Sequence, residues 1–272
     1  MSRRRHDENE FFHFDSLRAL ADAFERENVA AEVEEADSDW AGGTRVDALA
    51  HARNGDISHV SEAESYADRM LSQLDMGDLV PRWEPDVVGN MPIVPNYLAG
   101  VPESMMARHE VVTESSPIEI WANTTVSGTC SARSMIRRGV ITLAFAIAIE
   151  RIRPARIVLF STTDAGNVAI RLSSPIDVSE VCAAFCRPSI TRQLIYRYVD
   201  RPYKASLGWS SWSVALTGNE EREREALMRY AGMPENAIHL STERLGDYAD
   251  LSDEEIIDVL NSKVRKAMEV ED

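Results

Sequence analysis

A strand, a long apolar helix and a second strand follow one another between residues 117 and 161. Residues 117–122 alternate apolar and polar side chains, which predicts a half-buried strand. Residues 132–151 carry apolar side chains at helical spacing on one wide face, which predicts a largely buried helix. Residues 156–161 are almost continuously apolar, as is typical of a strand inside a parallel sheet. The segment is therefore predicted to form a βαβ unit, and such units are nearly always right-handed.

The flanking parts of the chain differ in character from this unit. Residues 1–75 are polar and predict a helical N-terminal segment that begins with an amphipathic helix over residues 11–27. Residues 76–116 contain five prolines, which favours an extended crossing segment. Residues 117–272 are predicted to form the core domain, in which residues 220–230 form a charged surface helix. The predicted fold class is α/β, with a central, mostly parallel sheet.

Composition excludes several classes of protein. The chain of 272 residues has a formal net charge of −16, so general binding to nucleic acid is not expected. It contains no apolar stretch long enough for a membrane-spanning helix, and no apolar signal region follows the first charged residues. We therefore expect no membrane association and a cytoplasmic location. Cys130, Cys182 and Cys186 lack the spacing of a disulfide framework or a zinc site. Cys182 and Cys186, four residues apart on one face of a predicted helix, are predicted to be small buried hydrophobes.

Polar side chains follow the first strand of the βαβ unit. Asn123, Thr125 and Ser127 alternate, so they can present three oxygens on one side of the loop. Asp164 follows the second strand at the same edge of the sheet, where ligands of parallel sheets bind. The helix that begins after the loop adds free N–H groups. The alternative is that these side chains only hydrogen-bond the loop and cap the helix.

This loop resembles the metal-adhesion loop of von Willebrand factor type A domains, in which Asp-x-Ser-x-Ser ends the first strand and holds magnesium. The resemblance puts Asn123 at the Asp place, and Thr125 and Ser127 at the two Ser places. It implies a von Willebrand A-like or Rossmann-like core, with Mg²⁺ held by these three residues and Asp164. Asn123 is uncharged, whereas a hard divalent cation prefers at least one carboxylate. We therefore expect no cofactor, with Mg²⁺ as the alternative.

Three further segments resemble a family of bacteriophage proteins of unknown function. They are Gly42-Gly43 before a helix, the Pro-rich Val94–Met105, and Ser131–Gly139, which ends in Arg137-Arg138-Gly139. The likeness extends over about residues 12–245 and is strongest at residues 94–105 and 123–139. The resemblance implies a virus-encoded protein that would work in the host cytoplasm. It transfers no activity.

One basic and aromatic cluster follows the core strands. Its tyrosines are interleaved with basic residues that are candidates for contact with phosphate or nucleic acid through charge and stacking. The basic residues are Arg187, Arg192, Arg197, Arg201 and Lys204. The alternative is a solvated helix face that pairs with the surplus acidic residues.

No established catalytic motif occurs in the chain. The sequence lacks GxSxG, HExxH, GxxxxGK[ST] and GxGxxG. His109 and His239 are candidates to line a cleft, and Cys130 has no evident base. We therefore expect a non-enzymatic interaction protein that binds a protein partner through its α/β core. The alternatives are a nucleic-acid-associated protein that uses residues 187–204 and a phosphate-ligand enzyme at loop 123–131.

Overall fold

The structure is a computed structural model, which describes most of the chain. The described residues are 11–73, 82–89, 91–109, 117–126, 128–163, 166–200, 220–241 and 251–268. They form two compact units, of which the larger lies within residues 1–74 and 118–272 and the smaller within residues 75–117. No helix of the described residues is both long enough and apolar enough to cross a membrane.

Eight strands lie in the described residues, and they form one sheet in each unit. The strands are β1 (Phe11–Phe14), β2 (Arg82–Asp86), β3 (Met91–Pro92), β4 (Met105–His109), β5 (Ile118–Asn123), β6 (Ala155–Thr163), β7 (Gly166–Arg171) and β8 (Ile238–Leu240). The larger unit holds a five-stranded sheet in the order β1-β7-β6-β5-β8. β5 is parallel to β6 and β8, and β1 is parallel to β7, while the β6–β7 pair is antiparallel. The predicted α/β class with a mostly parallel sheet is confirmed.

The α-helices of the described residues belong to the larger unit, except α6, which lies in the smaller unit. They are α1 (Leu17–Arg26), α2 (Val29–Glu32), α3 (Ser38–Ala41), α4 (Arg45–Asn54), α5 (Val60–Leu71), α6 (Val94–Leu98), α7 (Ala132–Glu150), α8 (Val178–Cys186), α9 (Tyr196–Asp200), α10 (Glu220–Ala226) and α11 (Asp253–Met268). Two π-helical stretches join them, Ile190–Ile195 before α9 and Leu227–Ala231 after α10. β5, α7 and β6 are the predicted strand–helix–strand unit.

The first predicted helix begins later than its sequence pattern indicates. The prediction of a helix over residues 11–27 is wrong for residues 11–14. They form β1, which pairs in parallel with β7 along its whole length. The helix itself begins at Leu17, where the Ser16 hydroxyl accepts a hydrogen bond of 3.0 Å from the Ala19 N–H. Four residues are too few for a periodic signal, so a distant strand decides their conformation.

Helix α7 is buried between neighbours and depends on a glycine. Thirteen of its residues are buried, and it packs against α5 and α8. Gly139 lies where α7 crosses α8, and a β-carbon at that position would be closer than 3.0 Å to the carbonyl group of Phe185. The absence of a side chain at Gly139 therefore sets the close approach of the two helices.

The other large apolar cluster involves the second face of the sheet. Trp121, Val158 and Phe160 of β5 and β6 pack with Leu227 and Ala231 of the π-helical stretch after α10. The helix α10 directly precedes this stretch, and its Glu223 contacts Asn123 at the end of β5 and His239 of β8.

The smaller unit is a three-stranded antiparallel sheet in the order β2-β4-β3, with α6 after β3. Its residues belong to the segment over residues 76–116, for which the prolines predict an extended conformation. Pro85 lies in β2 and Pro92 in β3, the two edge strands. Proline is tolerated at such edges because it has no N–H to donate to a neighbouring strand.

Candidate functional site

The polar residues after β5 are buried and hydrogen-bonded to one another. The Asn123 carboxamide oxygen accepts a 2.7 Å hydrogen bond from the Thr125 N–H. The Thr125 hydroxyl lies 3.1 Å from the Ser161 hydroxyl and accepts a 2.9 Å bond from the Thr162 N–H. The side chains that the alternating pattern singled out thus join the ends of β5 and β6.

Two of the four predicted metal-site residues come together in this arrangement. Asn123 and Thr125 share the end of β5, whereas Ser127 and Asp164 lie outside the described residues. The Asn123 amide N–H donates to Glu223 Oε1, so both polar atoms of this side chain have protein partners. Within the described ranges, no group of three or more His, Cys, Asp or Glu side chains could hold a metal ion.

A buried arginine and a buried tyrosine hold the beginning of the loop. The Arg138 guanidinium, on α7, donates to the carbonyl oxygens of Asn123 and Thr125. The Tyr196 hydroxyl accepts a 3.0 Å hydrogen bond from the Val126 N–H. Burial raises the pKa of Tyr196 to about 12, so its hydroxyl keeps its proton at neutral pH. These contacts keep the loop backbone against the protein.

A second arginine holds the end of the loop. The side chain of Arg192, from the π-helical stretch before α9, is fully buried. It donates to the carbonyl oxygens of Trp40 and Cys130, and its guanidinium lies over the Trp40 ring, 4.2 Å from the ring centre. The Trp40 indole N–H donates a 2.8 Å bond to the Gly128 carbonyl. Arg192 and Trp40 therefore stabilise the position of residues 128–130, which precede α7.

The described members of the predicted basic cluster do not share one surface. Arg192 is buried beneath the loop, and Arg187 forms an ion pair with Asp56 at 2.7 Å. Arg197 lies 3.9 Å from Asp200. Burial raises the pKa of Asp200 to about 6, although the charge of Arg197 opposes that shift. Arg201 and Lys204 lie outside the described residues.

The ion pair of Asp56 and Arg187 predicts a dependence of stability on pH. Burial raises the pKa of Asp56, but hydrogen bonds from Arg187 and Ser58 outweigh it and hold that pKa well below the ordinary value of 3.8. A lowered pKa stabilises the fold above the unfolded-state value, and this stabilisation is lost as the pH falls below about 4. Asp56→Asn should be less stable at neutral pH and should lose less stability on acidification.

Urea unfolding at a series of pH values measures this effect. Arg187→Gln should flatten the acid limb of the curve in the same way as Asp56→Asn, because it removes the other half of the pair. An acid limb as steep in both variants as in the original protein would contradict the assignment.

A buried pair that the sequence did not predict lies beside Asn123. Glu223 and His239 are 1% and 2% exposed, and their Oε2 and Nε2 atoms are 3.3 Å apart. His239 is paired with Trp121 across β8 and β5, and its ring lies 5.7 Å from that of Phe160. The predicted surface helix over residues 220–230 therefore has one buried acidic side chain.

Several buried polar atoms around this pair have no hydrogen-bond partner. These atoms are the two imidazole nitrogens of His239 and the hydroxyl oxygens of Ser241 and Thr162. No described residue forms a hydrogen bond with any of them. A buried polar group without a partner costs about 1–3 kcal/mol. Four such atoms in or directly after β6 and β8, the strands on either side of β5, are the unusual feature of this site.

A small cavity lies on the α7 side of the same strand end. Its volume is about 10 Å³, which is room for about one water molecule. Asn123, Arg138, Gly139 and Phe185 are among the residues that line it. The cavity is therefore too small for an organic ligand.

Comparison with known proteins gives one assignment. No curated protein matches the chain, and no solved structure matches it. The model of one protein family matches residues 4–242, which is most of the sequence. This match confirms the expectation of a family of unknown function. The chain belongs to the family described as "Domain of unknown function (DUF7192)".

Proposed function

We propose that the protein is a non-enzymatic interaction protein that binds another protein through an apolar surface on its smaller unit. The observation that supports this is one face of α6. Val94, Tyr97 and Leu98 lie three and four residues apart and therefore share a face. All three are exposed, with Leu98 at 78%. The apolar surface that we propose consists of these three residues and the other exposed apolar side chains of the same unit, Val87, Val88, Met91 and Val101.

A group of exposed apolar side chains is typical of a contact surface. Single exposed hydrophobic residues are normal, but a cluster within one short segment marks a site of association. No residue of α6 is buried, so its apolar face does not serve the core of its unit. Burying apolar surface contributes roughly 25 cal/mol of favourable free energy per Å². A partner with a complementary apolar face would bury this surface.

The edge strands of the same sheet favour contact through side chains. An added strand would need N–H groups along β2 or β3, and each of these strands contains a proline. A partner is therefore expected to cover the apolar side chains and not to extend the sheet.

The larger unit is proposed to have a von Willebrand A-like core, and the gene to be viral, with the host cytoplasm as the place of action. Support for these proposals comes from the resemblances in loop 123–127 and in residues 94–105 and 123–139. Mg²⁺-dependent binding at the loop is the alternative route to a partner. The apolar surface is favoured over it because the Asn123 and Thr125 side chains already bond within the protein. Binding that needs Mg²⁺ and is lost in Thr125→Ala would favour the loop.

Changing Leu98 to aspartate tests the apolar surface. The full chain is used to recover partner proteins from cells that express it. The recovered partner is then purified, and its affinity for the full chain is measured by calorimetric titration. Leu98→Asp should weaken binding at least about tenfold, or about 1.4 kcal/mol, because it puts a charge into an apolar contact. Val46→Asp is the matched control, since Val46 is 74% exposed on α4 in the larger unit.

The outcomes separate the candidates. Equal affinity of the Leu98→Asp and Val46→Asp proteins would contradict the proposal. A dissociation constant that depends on Leu98 in sedimentation of the purified protein alone would identify the partner as a second copy of the chain.

A further inference from the structure

Glu223 and His239 face each other without a normal hydrogen bond. The 3.3 Å between Glu223 Oε2 and His239 Nε2 is an ion-pair distance, yet neither imidazole nitrogen has hydrogen-bond geometry to any partner. A buried imidazole normally donates from one nitrogen at least. Ligand atoms that share a cation at about 2.1 Å lie roughly 3.0 to 3.4 Å apart, which is the separation seen here.

The residues around the pair offer a further oxygen and an orienting hydrogen bond. Ser241 follows His239 by two residues, the spacing that puts extended side chains on one face, and its buried hydroxyl has no partner. The carboxyl group of Glu223 is oriented through its other oxygen, Oε1, by the Asn123 amide. Outer hydrogen bonds of this kind fix the direction of ligands around a metal.

We propose that Glu223 and His239 bind one divalent transition-metal cation inside the protein, at the carboxyl ends of β5 and β8. The Ser241 hydroxyl and water fill the remaining positions. An imidazole with a carboxylate suits Zn²⁺ and its neighbours in the first transition row, whereas Mg²⁺ and Ca²⁺ prefer oxygen ligands alone. The site is distinct from the magnesium loop of the resemblance, because Asn123 orients a ligand here and is not itself a ligand.

The structure also gives the manner of binding. Both ligand side chains are almost fully buried. The cation is therefore bound as the chain folds, and its binding energy adds to the stability of the fold. It joins α10 to β8, next to the apolar cluster that contains Leu227 directly after α10 and Ala237 directly before β8.

Cobalt is the probe that tests the site. The full chain is produced in medium that contains Co²⁺ as the added transition metal, and is then dialysed against a weak chelator. Elemental analysis should give about one Co²⁺ per chain, with visible absorption bands from nitrogen and oxygen ligands. His239→Gln and Glu223→Gln should each lower the Co²⁺ content at least about tenfold, and Asn123→Ala should weaken retention by about 10- to 100-fold.

A matched control is present on the surface. His59 and Glu62 form an exposed histidine–glutamate pair at 3.2 Å, so His59→Gln should keep the full Co²⁺ content. Far-UV circular dichroism checks that each variant is folded. The original protein decides the matter even if a variant does not fold, because a folded chain without bound Co²⁺ would overturn the proposal. Retention of Co²⁺ by a folded His239→Gln protein would overturn it too.

Discussion

Replacing Gly139 by alanine should lower the free energy of unfolding, although alanine is the better helix former. In an open helix the same change stabilises by about 0.5–1 kcal/mol. Here the added β-carbon would be closer than 3.0 Å to the Phe185 carbonyl group, so α7 and α8 must move apart. Overpacking of this kind costs about 1–3 kcal/mol, and we expect a loss of about 2 kcal/mol in urea unfolding.

Arg133→Ala is the control for this change, because Arg133 is an exposed residue of the same helix. Its free energy of unfolding should stay within about 0.5 kcal/mol of the original value. If the Gly139→Ala protein were as stable as the original, the close crossing of α7 and α8 would be contradicted.

Replacing Arg192 by leucine should release the loop in front of α7. The change removes the donors to the Trp40 and Cys130 carbonyl oxygens and the cation over the Trp40 ring. A buried carbonyl group that loses its donor costs about 1–3 kcal/mol. The Trp40 and Cys130 carbonyl groups are only partly buried, so we expect the free energy of unfolding to fall by about 3 kcal/mol in total. Urea unfolding measures it.

Thiol labelling shows whether the loss is local to the loop. Cys130 is partly exposed and lies on the loop, whereas Cys182 and Cys186 are buried in α8. Under native conditions, Arg192→Leu should speed the labelling of Cys130 and leave the other two thiols slow. The exposed Arg26 provides the control variant Arg26→Leu, which should change neither rate nor stability. Unchanged Cys130 labelling in Arg192→Leu would show that other contacts suffice to hold the loop.

The centre of the fold was predictable because burial on all sides leaves long apolar runs. The helix predicted over residues 132–151 is Ala132–Glu150, and the strand predicted over residues 156–161 is Ala155–Thr163. The prediction that Cys182 and Cys186 are buried is confirmed as well. In each case the local pattern of apolar side chains carries the information.

Features that depend on distant pairing were not predictable. β1 has four residues, and its apolar side chains continue smoothly into the pattern of α1. Residues 11–14 form a strand and not the first turn of α1 only because they pair with β7. The local sequence pattern holds no information about a strand as distant in the chain as Gly166–Arg171. The predicted start of the first helix is therefore wrong.

The candidate site was predictable in part. The position of Asn123 and Thr125 at a strand end follows from the alternating pattern, but their partners do not. Glu223 lies in a run of charged residues and cannot be distinguished by sequence from its exposed neighbours Glu221 and Arg222. Its burial is decided by Asn123 and His239, which come from other parts of the chain. His239 alone gave a signal, as a histidine within an apolar strand.

The pairing of β1 with β7 has a consequence during synthesis of the protein. β1 leaves the ribosome before the strand that it needs, since Phe11 pairs with Asn167 and Phe14 with Ile170. Its phenylalanines must therefore wait, unpaired, while the βαβ unit emerges and folds. In a crowded polysome, the open edge of β7 in one chain is exposed to β1 of a neighbouring chain, which is the arrangement that domain swapping requires.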